Sequence, residues 1–402
     1  MKIDRIETLR LAEFPNLIWV EIVTEDGTRG LGETFFGASA VEAYIHDWCA
    51  PRLLGRDAMA IPARRADLKD YLGWRGAGVE TRALSAIDIA LWDLFSRVHG
   101  RPVADMLGGR SRDRIRTYNT CAGYRYVRGA QGQRVANWQA DAAEGPYEDL
   151  DAFLTDAGEL AQSLLDQGIS AMKIWPFDPA AERSGGWDIS ADELKTALEP
   201  FEKIRKAVGD KMDIMVEFHS LWSPPAARRL AHALRDFDTY WHEDPFRLEN
   251  LGDLREYARH TDALICVSET LPSVHAFRDY LETGVAGVAM LDLSWCGGLS
   301  EARKIAGMAE AFGVPVAPHD CTGPVVFATS CHFSMYAPNA MIQESVRAFY
   351  TGWYRELVDG LPEVSDGMIA ISDAPGHGVS LHPDLVGRAD AVHRVSTNFD
   401  GG

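Results

Sequence analysis

Three glutamates recur at an even interval: Glu217, Glu243 and Glu269 lie 26 residues apart, each at the end of a short apolar run. A strand–helix unit of that length returns the chain to the same height on the next strand. The three carboxylates are therefore expected to meet at the carboxyl ends of consecutive parallel strands. Without a cation they would repel one another, and burial would raise their pKa values. A hard divalent cation such as Mg²⁺ relieves both effects and leaves positions open for water or substrate. The ladder continues at Asp292, His319 and Glu344, after steps of 23, 27 and 25 residues. Lys173 precedes it, at the end of SAMK, and the larger gap predicts that PFDPAAERSGGWDIS is an extended loop. A solvated acid at one strand end is ordinary; seven ionisable residues at successive strand ends are not a requirement of folding.

Positioning such a cluster takes a repeating scaffold, and the chain has one. From about residue 114, short runs rich in Val, Ile and Met (RIRTYNT, SAMKIW, DIMVEFH, TYWHE, ALICVSE, GVAMLDL, VPVAPH, AMIQES) alternate with amphipathic helical stretches. Eight strands in such βα units predict an α/β fold with a closed parallel barrel. The first hundred residues read as α+β: two or three strands with Asp26-Gly27 as a hairpin turn, then a helix over TRALSAIDIALWDLFSRVHG that stops near Gly100. Residues 125–149 read as a long loop or small insertion over the barrel mouth, and the tail from DAPGHGV as strands and turns packing back on the N-terminal part. Expected units are thus an α+β domain over 1–113, a barrel over 114–375 and a returning segment over 376–402.

At 402 residues, 46% hydrophobic and 25% charged, the chain has the make-up of a two-domain globular protein. No run of eighteen apolar residues occurs and MKIDRIETLRL lacks a signal-peptide core, which predicts a cytoplasmic protein away from membranes. Its six cysteines are scattered without a CxxC pair, so structural zinc and a disulfide framework are not expected. A net charge of −19 argues against nucleic acid or an anionic membrane as partner. It leaves a small anionic substrate open, because a bound dication reverses the local sign.

IDIALWDLFSRVHGRPVADMLGG, the spaced glutamates with HEDP, GGLSEARKIAGMAEAFGVPVAPH and the PGHGV tail together resemble the mandelate racemase/muconate lactonizing enzyme-like branch of the enolase superfamily. The resemblance covers nearly the whole chain. It implies a (β/α)7β TIM-like barrel under an α+β capping domain, Mg²⁺ held by Glu217, Glu243 and Glu269, a carboxylate substrate and a homo-oligomer. It also implies abstraction of the proton next to that carboxylate, for which a Lys or His serves as base. His319 is the candidate base, with Asp292 on the adjacent strand end to hold its imidazole in one tautomer. His219 lies two residues beyond Glu217 and faces the same side if the strand extends that far. This E-x-H arrangement looks like that of the family's acid sugar dehydratases, where such a histidine protonates the departing hydroxide. His242, beside Glu243, should face the helices and is read as structural.

Relatives that move protons on both faces often carry K-x-K; here Lys173-Ile174-Trp175 keeps only the first lysine, which can neutralise the substrate carboxylate. Glu344 is a candidate for binding substrate oxygens, with loop orientation as its other reading. Trp295, Phe14, Pro15, Phe35, Phe36, Trp74 and Arg75 are candidate specificity or packing residues. The resulting expectation is dehydration of an aldonate or aldarate to a 2-keto-3-deoxy sugar acid. A cycloisomerase, racemase or epimerase shares the first step. A Schiff-base aldolase using Lys173 is a rival of another class, as is a catalytically silent scaffold.

Overall fold

In the computed structural model, residues 1–69, 76–129, 132, 134–138 and 145–397 are described; Trp74 and Arg75 lie outside them. The chain opens with three antiparallel strands, β1 (Ile3–Leu11), β2 (Leu17–Thr24) and β3 (Arg29–Phe35). Asp26-Gly27 makes the turn between β2 and β3, with Gly27 at φ 85°, where a side chain would be strained. The last strand, Ala391–Thr397, joins the other edge of β1 antiparallel, so the tail does return to the N-terminal sheet. Helix α1 (Val79–Val98) buries its apolar face, including Leu84, Ile87 and Leu91, against this sheet. Gly32 allows the close approach, since a Cβ there would fall 1.9 Å from the Ala86 carbonyl oxygen.

Eight further strands run parallel: β4 (Ile115–Thr120), β5 (Ala171–Ile174), β6 (Asp213–Glu217), β7 (Trp241–Glu243), β8 (Leu264–Val267), β9 (Val288–Leu291), β10 (Val316–Pro318) and β11 (Gln343–Ser345). β4 to β10 pair in sequence order, and β11 pairs with the other side of β4. Between β10 and β11 there is no ladder among the described residues. A single parallel bridge, Val316–Ala340, lies there, and Met341 N–H donates to Val316 O at 3.0 Å. The intervening segments are mostly helical, among them α2 (Leu299–Ala311) and α3 (Pro324–Tyr336).

All eight strands read from residue 114 onward are present, each shorter than its run. One expectation is corrected: PFDPAAERSGGWDIS is not an extended loop throughout, because Asp178–Ser184 forms a helix. Pro179 sits in its first turn and Gly185, at φ 64°, ends it, the start and stop signals that chain chemistry favours. No helix among the described residues is long and apolar enough to cross a membrane. All six cysteines are free thiols.

Candidate active site

An apolar cluster inside the parallel strands takes a residue from, or immediately beside, each of them: Tyr118, Ala171, Met215, Trp241, Cys266, Val288, Met290, Ala317 and Ile342. Side chains alternate along a strand, so the residue two beyond an inward one also faces inward, one layer nearer the carboxyl end. That rule sets Lys173 above Ala171, Glu217 above Met215 and Glu243 above Trp241. It likewise sets Asp292 above Met290, His319 above Ala317 and Glu344 above Ile342. Glu269 breaks the pattern, since β8 ends at Val267 and the glutamate lies in the turn beyond.

A cavity at this end is lined by Lys173, Glu217, His219, Glu269, Trp295, His319 and Glu344, together with Phe35 and Phe36 of the N-terminal part. Glu243 and Asp292 stand behind that lining, fully buried, and act on it through hydrogen bonds. Lys173 Nζ lies 2.6 Å from Glu243, 3.0 Å from Glu344 and 3.4 Å from Glu217. Burial alone would lower this ammonium's pKa; the charges of Glu243 and Glu344 outweigh it, so Lys173 stays protonated. A neutral amine for Schiff-base chemistry is not what this setting favours. Glu344 also accepts from Thr120 Oγ1 and, at 2.8 Å, from Asp320 N–H. Burial opposes ionisation of Glu344, yet Lys173 and His319 hold its pKa below the usual value.

Among the described residues no three His, Cys, Asp or Glu side chains are already spaced to enclose an ion. The carboxylates turn instead to Lys173 and to one another. Several features nevertheless fit a hard cation. Glu269 Oε2 is buried without a hydrogen-bond partner. Burial pushes Glu217 up, with Lys173 opposing and Glu269 adding, and burial followed by Glu217 pushes Glu243 well up. A dication would offset that repulsion and favour the ionised forms, and all the donors are carboxylate oxygens.

His319 Nδ1 is 2.7 Å from Asp292 Oδ2, and its Nε2 is 4.0 Å from Glu344 Oε2. Burial lowers this imidazole's pKa, but Glu344 and the bond and charge of Asp292 push it up to about 9. Asp292 is itself fixed, accepting from Ser294 N–H and Ser294 Oγ at 2.6 Å each. Trp295 lies against the base, with ring centroids 5.6 Å apart.

His219 reaches the cavity by a route the strand rule does not describe. β6 ends at Glu217, and His219 takes a left-handed turn at φ 51° with its N–H donating to Glu217 Oε1 at 2.6 Å. Its Nδ1 is 2.8 Å from Asp178 Oδ2. Burial opposes protonation of this ring, whereas Asp178 outweighs burial and raises the pKa. Asp178 escaped sequence reading because it sits in the stretch read as a loop. Its only signal was a Pro–Gly-bounded acidic start of a helix. Trp175, where a second lysine was looked for, is buried and packs edge-on to His219 at 5.9 Å.

The other candidates divide. His242 faces away from the cavity, bonded to Thr239 Oγ1 at 2.9 Å and Tyr257 OH at 2.7 Å, and burial lowers its pKa to about 3. Phe14 packs on Trp353 at 5.3 Å, and neither it nor Pro15 lines the cavity. Tyr126, Val127 and Cys321 do line it and were not anticipated; no spacing in the sequence marks them.

Residues 156–385 match the family model described as enolase C-terminal domain-like, and residues 10–108 the N-terminal domain of mandelate racemase/muconate lactonizing enzyme. A D-galactonate dehydratase of Ralstonia nicotianae is 32% identical over 397 residues, 96% of this chain and 94% of the relative. A D-gluconate dehydratase of Thermoproteus tenax is 31% identical over 91% of this chain and 68% of its own length. Among solved structures, an enolase of the mandelate racemase subgroup from Agrobacterium tumefaciens is 53% identical with a TM-score of 0.88, covering 99% of this chain and 100% of that one.

Proposed function

Because the chain belongs to the mandelate racemase/muconate lactonizing enzyme branch of the enolase superfamily, we propose that it is a Mg²⁺-dependent acid sugar dehydratase. It takes an aldonate or aldarate to the corresponding 2-keto-3-deoxy sugar acid. The observation that carries the reading is two histidines on one cavity, each bonded through Nδ1 to its own carboxylate: His319 to Asp292 and His219 to Asp178. The sugar acid dehydratases among its relatives support the same reaction class. The catalytic unit in this reading is a (β/α)7β barrel over 114–375, which the isolated Val316–Ala340 bridge beside β10 and β11 favours. The unit over 1–113 and the tail over 376–402 form the cap, as the pairing of β1 with the last strand favours.

Glu217, Glu243 and Glu269 would hold the ion. When bound, it supplies the positive charge that stabilises the dianion left by removing a proton next to a carboxylate. Lys173 neutralises the substrate's carboxylate, and Glu344, an acceptor, receives hydrogen bonds from substrate hydroxyls. Asp292 fixes the proton on His319 Nδ1, so that Nε2 accepts the proton from C2. The electron pair left on C2 forms the C2–C3 double bond as the C3–O bond breaks. Protonated His219 gives its proton to the departing hydroxide, which leaves as water. The enol then tautomerises to the 2-keto product.

A sugar-acid library assayed with Mg²⁺ for semicarbazone-reactive product tests this directly. At least one aldonate or aldarate should give a keto acid. Turnover confined to isomerised products that keep the hydroxyl would overturn dehydration.

A further inference from the structure

Glu33 lies outside the cavity and outside every role given above, yet it is fully buried at the junction of two parts of the molecule. Its Oε1 accepts from Val325 N–H at 3.0 Å and Val326 N–H at 2.9 Å, in the first turn of α3. Its Oε2 accepts from Trp19 Nε1 at 2.6 Å. The fit is close on the other side too, for a Cβ on Gly323 would stand 2.3 Å from Glu33 Oε1. α3 begins five residues after His319, so Glu33 holds the far end of the turn that carries the candidate base.

The next two residues of β3 hold the other turn. Thr34 Oγ1 donates to Ser294 O at 3.0 Å, and Phe35 O accepts from Trp295 Nε1 at 3.1 Å. Ser294 is the residue whose N–H and hydroxyl fix Asp292. Three consecutive residues of one strand thus bind the two separate turns that bring Asp292 and His319 within 2.7 Å.

We propose that Glu33, with Thr34, is a positioning residue: from the N-terminal sheet it sets the spacing of the turns after β9 and β10 and so the Asp292–His319 hydrogen bond. The side-chain bonds are buried, and one carboxyl oxygen accepting from two backbone N–H groups at a helix start is a directional contact that satisfies two otherwise orphaned donors. The inference rests on the reading of His319 as the base only for its effect on rate; the geometric claim stands apart from it.

The test uses Glu33→Gln and Thr34→Val. Glu33→Gln keeps an acceptor for α3 but sets an amide N–H₂ against the Trp19 indole N–H. Thr34→Val removes the bond to Ser294 with little change of shape. The readout is the downfield proton resonance of His319 Nδ1–H, assigned with His319→Asn and recorded without substrate. It remains measurable even if no sugar acid is turned over. Both variants should shift or broaden that resonance. They should slow α-proton exchange roughly 10–100-fold, with KM and Mg²⁺ affinity changed less than about twofold. A folded variant with the resonance in place and exchange unaltered would overturn the proposal. Should Glu33→Gln not fold, Thr34→Val decides alone by the same criterion.

Discussion

His319 and His219 share a cavity but have been given different partners, and their titration separates their roles. A base has to be neutral to act, while about 9 for His319 in the bare chain reflects the surrounding carboxylates. Mg²⁺ would offset that field, so proton abstraction should rise with pH along a limb centred below this value when the metal is present, and the limb should move upward when it is scarce. Rates of deuterium exchange at C2 against pH, at two Mg²⁺ concentrations, check this. His319→Asn should keep the fold and lose exchange by about 10²–10⁴-fold, the range general-base catalysis supplies. His219→Gln should behave otherwise: exchange at C2 persists while release of water falls by a similar factor. Loss of both steps together in His219→Gln would mean that this ring does not act as the separate acid. Asp178→Asn should follow His219→Gln in direction, since it removes the charge that raises the ring's pKa.

At the scale of elements, period and spacing explain why most of this site could be read from residues alone. An inward residue followed two positions later by an ionisable one recurs on β5, β6, β7, β9, β10 and β11. Strand alternation transmits that pattern without distortion. Where alternation stops, residues arrive by other routes: His219, read as a site residue, enters through a left-handed turn, and Glu269, also read as one, lies past its strand. Asp178, which reading missed, comes from a short helix inside a supposed loop. Tyr126 and Val127 reach the cavity from residues 125–149, where no periodicity guides them. Glu33 could not be found either, because its meaning depends on a helix start nearly 300 residues away. The contact of β3 with α1 offers a test at this scale. Gly32→Ala would drive a methyl group into the Ala86 carbonyl oxygen, and should cost about 1–3 kcal/mol of stability in urea unfolding. An unchanged midpoint would show that the sheet and α1 are not held so closely.

Over the whole molecule, buried carboxyls tie stability to pH and to metal. Burial pushes Glu33 and Glu217 up to about 8 from an ordinary 4.5. A folded value above the unfolded one means the native chain binds the proton more tightly, so that contribution is complete below pH 4.5 and lost as pH rises towards 8. The metal-free protein should therefore melt at a lower temperature near pH 8 than near pH 5.5, and Mg²⁺ should recover the part owed to Glu217 but not that owed to Glu33. Scanning calorimetry with EDTA or Mg²⁺ reads both. A net charge of −19 makes the same demand in another form, since an anionic substrate approaches this chain only where a cation reverses the field. The spaced glutamates are the proposed seat of that cation, and titration calorimetry of Mg²⁺ into the EDTA-treated protein tests them most directly. One site should bind with release of protons, and Glu217→Gln, Glu243→Gln and Glu269→Gln should each weaken it at least about tenfold. No binding to the unaltered protein, or equal binding by all three folded variants, would contradict the account.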